Sequence, residues 1–471
     1  MLVAGIVGML GILNSNMANT SMRFMAHSLG SGDKEITLKT FNTTLFLHFV
    51  IGAIVVFLME IGGWLMFKYL LNIPPEKMFD AKVVFHFMVI TTFISVISVP
   101  YDAVMNSHED IIALSLANIF GYILKLGVAI YLTFSHANLL ILYGFLMLVV
   151  QLLLRIIKQF YCRARYDECK IRFRSFIDKK LMRSILSFTG WNLLNSVSEL
   201  VLLQLKGVFL NAYYGVSINA AEGVARQATT QVNMVSISMT QAINPQVMKS
   251  EGGGDRQRML YLTGLGTKFS AFLFTLIAIP LFFEAPYLLN LWLKSVPNYT
   301  IIFFQIILIA SAFEKFTFEI TTAIRAVGNI KNFQIIETGI LMLNIPIYYF
   351  VLKMGYPPYT VFITSILVSL IGAYVRLYFG KKIAGMNISI FFKESVFPVM
   401  FSIVLSCLIA LAPKMLLPES LIRFFLTLLL TTSTMVYTFW NWGLNNSEKT
   451  KLKHALLTIK QKILKNRNNG I

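Results

Sequence analysis

Long apolar stretches separated by short polar loops run along the whole chain. Each stretch has about twenty or more largely apolar residues, which is enough for a helix to cross a hydrocarbon core ~30 Å thick. The pattern predicts thirteen membrane-spanning helices, at approximately residues 2–26, 42–67, 82–106, 111–134, 138–157, 184–210, 217–244, 259–283, 299–326, 332–353, 358–380, 394–412 and 420–442. Because most connections are short, successive helices are expected to run antiparallel.

An internal repeat organises these helices. Shifting the sequence by 222 residues places Gly30-Ser31-Gly32-Asp33 on Gly252-Gly253-Gly254-Asp255, and Pro75 on Pro297. Duplicated blocks of membrane helices are typical of transporters whose halves move about a central site. We predict an all-α polytopic membrane protein with two pseudo-symmetric six-helix bundles followed by two further helices.

The first bundle is expected to be one helix short. A predicted helix at 184–210 precedes the 217–244 span, whereas nothing precedes residue 2. We therefore expect a plan of fourteen helices whose first helix is missing through truncation or a misplaced start. The predicted domains are an N-terminal bundle at 1–157, a basic cytoplasmic linker at 158–183, a C-terminal bundle at 184–380, two extra helices at 381–442 and a basic amphipathic tail at 443–471.

Charge sets the expected orientation. Only 13% of residues are charged, against about 25% in soluble proteins. The net charge is +19, but Lys and Arg concentrate in alternate loops, which the positive-inside rule assigns to the cytoplasm. This distribution predicts a multi-pass membrane protein with a cytoplasmic C-terminus and a bilayer rather than nucleic acid as partner. We expect the protein to be a monomer. Beyond Asn445, the apolar stripe with Lys around it predicts an interfacial helix.

The sequence does not predict an enzyme. It contains no G-x-x-x-x-G-K-[ST] phosphate-binding loop, and the predicted loops on the outer side are too short for a catalytic domain. The spacing of Cys162 and Cys169 fits no usual zinc pattern and no His lies near them. We therefore expect no catalytic residues, no metal and no cofactor. The energy for transport is expected to come from an H⁺ or Na⁺ gradient or from substrate supply.

Ionisable residues inside predicted spans are the candidate site residues, because each costs at least about 2.5–3.5 kcal/mol at mid-bilayer unless it faces a cavity or a partner. The substrate-binding candidates form a cationic set: Arg23, Lys125, Lys268 and Arg226. The acids interpreted as coupling or structural groups are Glu199, Glu222 and Glu314. A cavity lined by Lys and Arg suits an anionic substrate such as a diphosphate, since Arg pairs bidentately with phosphate and Lys acts as a point charge.

Several motifs resemble those of one family. Arg23-Phe24 followed by Leu29-Gly30-x-Gly32-Asp33 resembles the second helix and following loop of bacterial polysaccharide (O-antigen) flippases. Val99-Pro100-Tyr101-Asp102-Ala103 and Ala242-Ile243-Asn244-Pro245-Gln246 are similar to motifs of the same group. This family belongs to the superfamily of multidrug, oligosaccharidyl-lipid and polysaccharide exporters.

The resemblance implies a MATE-like fold and alternating access. It also implies a flippase that moves undecaprenyl-diphosphate-linked oligosaccharide across the inner membrane for polysaccharide biosynthesis, with Arg23 in a cationic cavity. Two alternatives stay open: a cation-coupled multidrug antiporter of the same fold, whose cavity would be dominated by carboxylates and aromatics, and a membrane glycosyltransferase or polymerase.

Overall fold

The computed structural model describes residues 2–70, 74–135, 138–171, 177–454 and 457, with only the backbone described for residues 2–13 and 70. Within these ranges the regular structure is helical, and no residue is in a strand. The all-α prediction is confirmed.

The predicted spans match helical segments to within several residues at their ends, and the predicted span 332–353 is divided between two helices. The helices in chain order are α1 Leu2–Gly30, α2 Lys34–Leu65, α3 Pro75–Ser107, α4 Ile111–Thr133, α5 Leu139–Arg165, α6 Lys179–Tyr214, α7 Val216–Gly252, α8 Arg256–Phe283, α9 Ala285–Trp292, α10 Thr300–Val327, α11 Lys331–Met342, α12 Asn344–Lys353, α13 Thr360–Ala384, α14 Ile388–Phe391, α15 Phe397–Leu416 and α16 Leu421–Thr438. Short π-helical segments Met66–Leu70, Phe392–Val396 and Phe439–Gly443 extend α2, join α14 to α15 and extend α16, respectively.

Eleven helical segments of the described chain are long and apolar enough to cross a membrane. They include α2, α3, α4, α5 and α6, and the segment Lys331–Lys353, which consists of α11 and α12 together. Most side chains of α4 face outward. Ile112, Tyr122 and Leu126 are all more than half exposed. Such an apolar surface suits contact with lipid, because lipid tails are as apolar as these side chains. The protein is a multi-pass membrane protein.

The chain divides into two units. Unit 1 comprises Met1–Leu200, Ala242–Leu260 and Thr322–Thr338, and unit 2 comprises Val201–Gln241, Tyr261–Thr321 and Gly339–Ile471. In unit 1, α1, α2, α3 and α5 share a core around the buried Met25, Phe41, Tyr101 and Met105. In unit 2 the larger core centres on Phe274, Phe303, Phe304 and Tyr348. The domain boundaries predicted from the sequence stay a prediction.

The repeat is visible in the structure at the turns after α1 and α7. The Asp33 carboxylate accepts from the backbone N–H of Ile36 at 3.2 Å, and the Asp255 carboxylate accepts from that of Arg258 at 2.9 Å. Gly32 and Gly254 have φ of 72° and 78°, a left-handed conformation that glycine adopts without steric cost. Equivalent glycine turns and aspartate caps therefore end one helix and begin the next in both halves of the repeat.

Candidate functional site

Arg23 lies near the C-terminal end of α1 and is 8% exposed. Its Nε donates to the carbonyl oxygen of Arg325 at 3.1 Å, and its Nη2 donates to that of Ala326 at 2.9 Å. These carbonyls belong to the last turn of α10, whose final C=O groups have no partner within the helix. The guanidinium thus caps α10 and meets the negative end of its dipole. The two bonds use two of its five N–H groups.

Gly328 gives Arg23 the space to reach α10. It follows the last residue of α10 with φ of 98°, which ends the helix in a conformation that favours glycine. A Cβ at this position would lie 2.5 Å from Nη2 of Arg23. The glycine is therefore required both by the backbone and by the approach of the guanidinium.

Two aromatic rings hold the other side of Arg23. Its Cζ lies 4.5 Å from the ring centroid of Phe24 and 5.2 Å from that of Phe188 on α6. The two rings meet edge to face, with centroids 5.7 Å apart. Cations over aromatic faces gain electrostatic stabilisation, more so when water is excluded. These contacts fix the guanidinium in one orientation.

The start of α6 adds two more cations. The Asp178 carboxylate accepts from the backbone N–H groups of Lys180 at 2.7 Å and Leu181 at 3.1 Å. These backbone hydrogen bonds, from Leu181 and then Lys180, lower the pKa of Asp178. The cap places Lys180 and Arg183 in the first turns of α6, both exposed. At the start of α11, the Nζ of Lys331 lies 5.6 Å from the ring centroid of Trp191.

Together these side chains line a pocket of about 590 Å³, which we call the Arg23 pocket. Its lining consists of Arg23, Phe24, Lys180, Arg183, Ser184, Ser187, Phe188, Trp191, Val327, Gly328, Asn329, Ile330 and Lys331. Of the described residues that line it, four are Lys or Arg and none is Asp or Glu. All of them belong to unit 1.

Helix stability does not account for this charge. Cations at a helix N-terminus oppose the helix dipole, a cost of roughly 0.3–1 kcal/mol each, and Lys180 and Lys331 both stand in first turns. Without a counterion from the pocket lining, the cluster has the composition of an anion-binding site. A buried Arg with exposed Lys around it can hold a phosphate group by a fork of N–H donors and by point charges.

Lys268 is placed in a different environment. It is 4% exposed, and its Nζ donates to both carboxylate oxygens of Glu448 at 3.0 and 2.9 Å. Glu448 also accepts from the backbone N–H of Asn445, and the Asn445 side chain accepts from that of Glu448. This reciprocal capping box starts the helix at residues 446–454. In this conformation the ammonium meets a carboxylate, and a substrate role for Lys268 stays a prediction.

Lys125 lies on the exposed face of α4. Its Nζ is 5.8 Å from the ring centroid of Tyr122, one turn away. The neighbouring Ile123 and Leu126 are about 60% exposed, at 59% and 61%. The structure does not bring Lys125 to the Arg23 pocket, and its predicted cavity role is untested.

Arg226 and Glu222 share one face of α7, as their spacing predicts. Glu222 is 3% exposed, and its Oε1 lies 3.4 Å from Nε of Arg226. Lys206 on α6 comes closer, at 3.1 Å. The sequence did not assign this third member, because Lys206 stands near the end of a span where a lysine can reach the head groups.

The other two predicted acids are accessible. Glu199 on α6 is exposed and accepts from the side-chain amide of Asn195 at 2.8 Å. Glu314 on α10 is 45% exposed and lies 4.0 Å from Nη2 of Arg376. Neither lines the Arg23 pocket. Their role in ion coupling stays a prediction.

Sequence reasoning missed two features. The first is the set of pocket cations Lys180, Arg183 and Lys331. From the sequence they are interpreted only as orientation signals in loops, although their cation-rich, acid-poor surroundings could have indicated an anion site.

The second missed feature is a buried ion pair. Arg423 and Glu284 stand at span ends, yet they form a buried pair in which Nη2 and Oε2 are 2.9 Å apart. Thr427 completes it by donating to Oε1 of Glu284 at 3.0 Å.

A second pocket lies among α1, α3 and α5. Its volume is about 410 Å³, and its polar lining residues are Asn14, Thr91, Thr92, Ser95, Tyr143 and Gln151. The Asn14 amide donates to Ser95 Oγ at 3.1 Å, while its carbonyl oxygen is buried without a partner among the described residues. The rest of the described lining is apolar, with Val84, Met88 and Met147, and the lining has no ionisable acid or base other than the tyrosine.

Solved structures of transporters share this architecture. A multidrug resistance transporter of the MATE family, in an outward-facing conformation, matches with a TM-score of 0.70 over 82% of this chain and 88% of that protein, at 14% identity. The chain therefore shares the fold of this transporter. A MATE transporter in a bent conformation matches with a TM-score of 0.71 over 79% of this chain and 84% of its own, at 14% identity.

A third match comes from Pyrococcus furiosus. This MOP superfamily transporter, whose reversed binding-pocket polarity suggests a different function, has a TM-score of 0.68 at 15% identity. The match covers 81% of this chain and 86% of that one. No protein-family profile matches the chain, and no curated protein matches its sequence. The fold alone is shared, and this likeness does not identify a substrate.

Proposed function

We propose that this protein is a flippase that moves undecaprenyl-diphosphate-linked oligosaccharide from the cytoplasmic to the outer leaflet of a bacterial inner membrane by alternating access. The observation that carries the proposal is the Arg23 pocket, whose described lining has four cations and no carboxylate. A diphosphate supplies the negative charge that this lining lacks. The flanking loops are those that the positive-inside rule assigns to the cytoplasm, where such a substrate is made.

The neutral pocket around Asn14 supports the same proposal. Hydroxyl and amide groups can exchange hydrogen bonds with sugar hydroxyls, and a buried amide oxygen without a partner gains most from a ligand donor. A charged drug would find no counterion in this lining. The prenyl chain needs no protein site, because it can stay in the surrounding lipid.

The cationic lining of the Arg23 pocket also argues against the multidrug antiporter. That alternative is favoured by the match to a multidrug resistance transporter, and it would use carboxylates to hold cations. Glu222 is engaged with Lys206 and Arg226, and Glu284 with Arg423. Glu199 and Glu314 are the more accessible candidates for such a role or for coupling to H⁺ or Na⁺.

The proposal is tested in a deletion strain of the source organism. We expect lipid-linked oligosaccharide to accumulate in the cytoplasmic leaflet and the intact gene to restore its export. Arg23→Ala should insert normally and export at least tenfold less, because the pocket loses its buried cation. Lys77→Ala, at an exposed lysine outside the pocket, is the matched control. Normal export in the deletion strain, together with loss of drug resistance, would establish the antiporter instead.

A further inference from the structure

The ends of α1 and α7 meet backbone to backbone. A Cβ added at Gly30 would overlap the carbonyl oxygen of Lys249, and a Cβ added at Gly252 would overlap that of His27. Gly253 packs nearly as closely, since its Cβ would lie 3.0 Å from the carbonyl oxygen of Gly30. Only glycine permits this approach. We call residues 27–30 and 249–253, all within unit 1, the glycine clasp.

The clasp obeys the internal repeat. The shift of 222 residues relates Gly30 to Gly252 and His27 to Lys249, so the two closest approaches are one contact and its pseudo-symmetric mate. The same shift relates the hydrogen bond from Ser31 N to His27 O, at 3.2 Å, to that from Gly253 N to Lys249 O, at 2.9 Å. Each carbonyl is thus both a helix C-terminal acceptor and the surface that the opposite glycine touches. The two duplicated segments are complementary to each other at this point.

Among the described residues, few polar bonds hold the clasp together. Beside it, Glu109 in the turn between α3 and α4 accepts from Nζ of Lys249 at 2.9 Å and from the amide of Gln246 at 3.1 Å. The side chains of Lys249 and Glu109 are 28% and 36% exposed, and ion pairs with this degree of exposure contribute about 0–1 kcal/mol. The two helix ends therefore fit closely in shape, but the polar bonds at this contact contribute little free energy. This combination suits a contact that forms and separates.

A hinge stands next to the clasp in α7. Pro245 lies inside the helix, one turn before Lys249, and a proline there removes one backbone hydrogen bond and bends the helix. The preceding Asn244 has a buried side-chain oxygen without a partner among the described residues. The last turn of α7 can change direction at this position while the rest of the helix stays formed.

From this geometry we propose that the glycine clasp is a cytoplasmic gate, closed in the present structure and opened by bending of α7 at Pro245. The proposal rests on the proposed transport function. Arg23 lies one turn before His27 on α1, so the gate and the anion pocket share a helix. Opening the clasp admits the substrate headgroup, and closing it again prevents return to the cytoplasm.

A labelling assay tests the gate without any substrate. Ser28, in the clasp, is 4% exposed, so Ser28→Cys reports opening through its reaction with a membrane-impermeant maleimide in inside-out vesicles. A background in which the three native cysteines are replaced removes other targets. Gly30→Ala or Gly252→Ala should raise the labelling rate at least fivefold. The matched control is Gly62→Ala in α2, where a Cβ meets nothing within 4 Å, and it should leave the rate unchanged.

A second measurement keeps both glycines. Cysteines replacing Ser31 and Lys249, which lie on opposite sides of the clasp, are joined by a short thiol-reactive cross-linker in reconstituted protein. Flipping should fall at least tenfold and return when a reducible cross-linker is cleaved. Unchanged Ser28→Cys labelling in both glycine variants, or full flipping by the cross-linked protein, would overturn the gate. Increased labelling in a protein that flips no lipid-linked sugar would uphold the gate and overturn the proposed substrate.

Discussion

The guanidinium of Arg23 donates to the carbonyl oxygen of Ala326 at 2.9 Å and so connects α1 to the C-terminal end of α10. One side chain thereby has two tasks: it caps a helix, and it is the buried cation of a pocket whose described lining has no acid. Three of its N–H groups are not used by the two carbonyls. These remaining donors are the ones that a phosphate would meet.

Gly328→Ala should disturb this arrangement from the α10 side. The added methyl group strains a residue with φ of 98° and lies 2.5 Å from Nη2 of Arg23. We expect binding of a soluble sugar-diphosphate analogue to weaken at least fivefold, measured by calorimetry on detergent-solubilised protein. Gly355→Ala provides the control, because it has a similar φ of 78° but meets nothing within 4 Å. Equal effects of both substitutions would mean that strain, not displacement of Arg23, is responsible.

Arg23→Lys separates geometry from charge. Lysine keeps the positive charge but cannot form the two-pronged contact with both α10 carbonyls. We predict an intermediate loss of analogue affinity, smaller than for Arg23→Ala, and a lower melting temperature than wild type. If Arg23→Lys binds as well as wild type while Arg23→Ala does not, charge alone is sufficient.

The three exposed cations of the Arg23 pocket should set the salt dependence of binding. Lys180, Arg183 and Lys331 face solvent, so their attraction for an anion is screened over about 8–10 Å at physiological salt. Replacing all three by Gln should weaken binding at 50 mM salt much more than at 500 mM. Parallel salt curves for the variant and wild type would contradict a direct electrostatic role.

Glu284 and Arg423 should be among the most sensitive stability positions in unit 2. Glu284 is fully buried and accepts two hydrogen bonds from Arg423 and one from Thr427. Removing one partner of such a pair costs about 3–5 kcal/mol. Arg423→Met should therefore lower the melting temperature sharply, whereas Glu419→Gln, at a 52% exposed neighbour, should not. The double variant Glu284→Leu/Arg423→Met should be more stable than the worse single variant.

Variants of Lys268 and Glu448 distinguish a structural role of this mid-span lysine from a role in substrate binding. Because each side chain is only 5% exposed, Lys268→Met should leave a buried carboxylate without its partner and lower the melting temperature. Adding Glu448→Leu should recover part of that loss if the pair is structural. If instead Lys268→Met retains wild-type stability but loses substrate binding, the cavity role predicted from the sequence would be supported.

The sequence predicted the helices and the repeat well, because both depend on local chemistry. Apolar runs of sufficient length must be helical in a bilayer, where backbone groups need internal partners. The turns at Gly32 and Gly254 follow from glycine and a capping aspartate. Helix ends were less accurate: α5 continues to Arg165, beyond the predicted end at 157. There Lys158 is 9% exposed and lies 2.7 Å from Asp102, a pairing that no local pattern reveals.

Partners distant in the chain were beyond sequence reasoning. Arg23 was identified as a candidate, but Lys180 and Lys331 reach its pocket only through the packing of α1, α6 and α11. Lys268 was assigned to a cavity from its depth in a span, and its partner Glu448 belongs to the segment that follows the last span. The predicted apolar stripe of the tail runs from Leu452 through Leu456, Ile459 and Ile463, and only Leu452 lies within the described residues.

The central claim is tested most directly by flipping in proteoliposomes that contain only this protein and undecaprenyl-diphosphate-linked oligosaccharide. A membrane-impermeant glycosidase added outside measures the fraction of substrate that becomes accessible over time. Our account predicts that accessibility rises well above half with wild-type protein and stays near half with Arg23→Ala. Accessibility that stays near half with wild-type protein, in vesicles that transport a cationic drug, would contradict it.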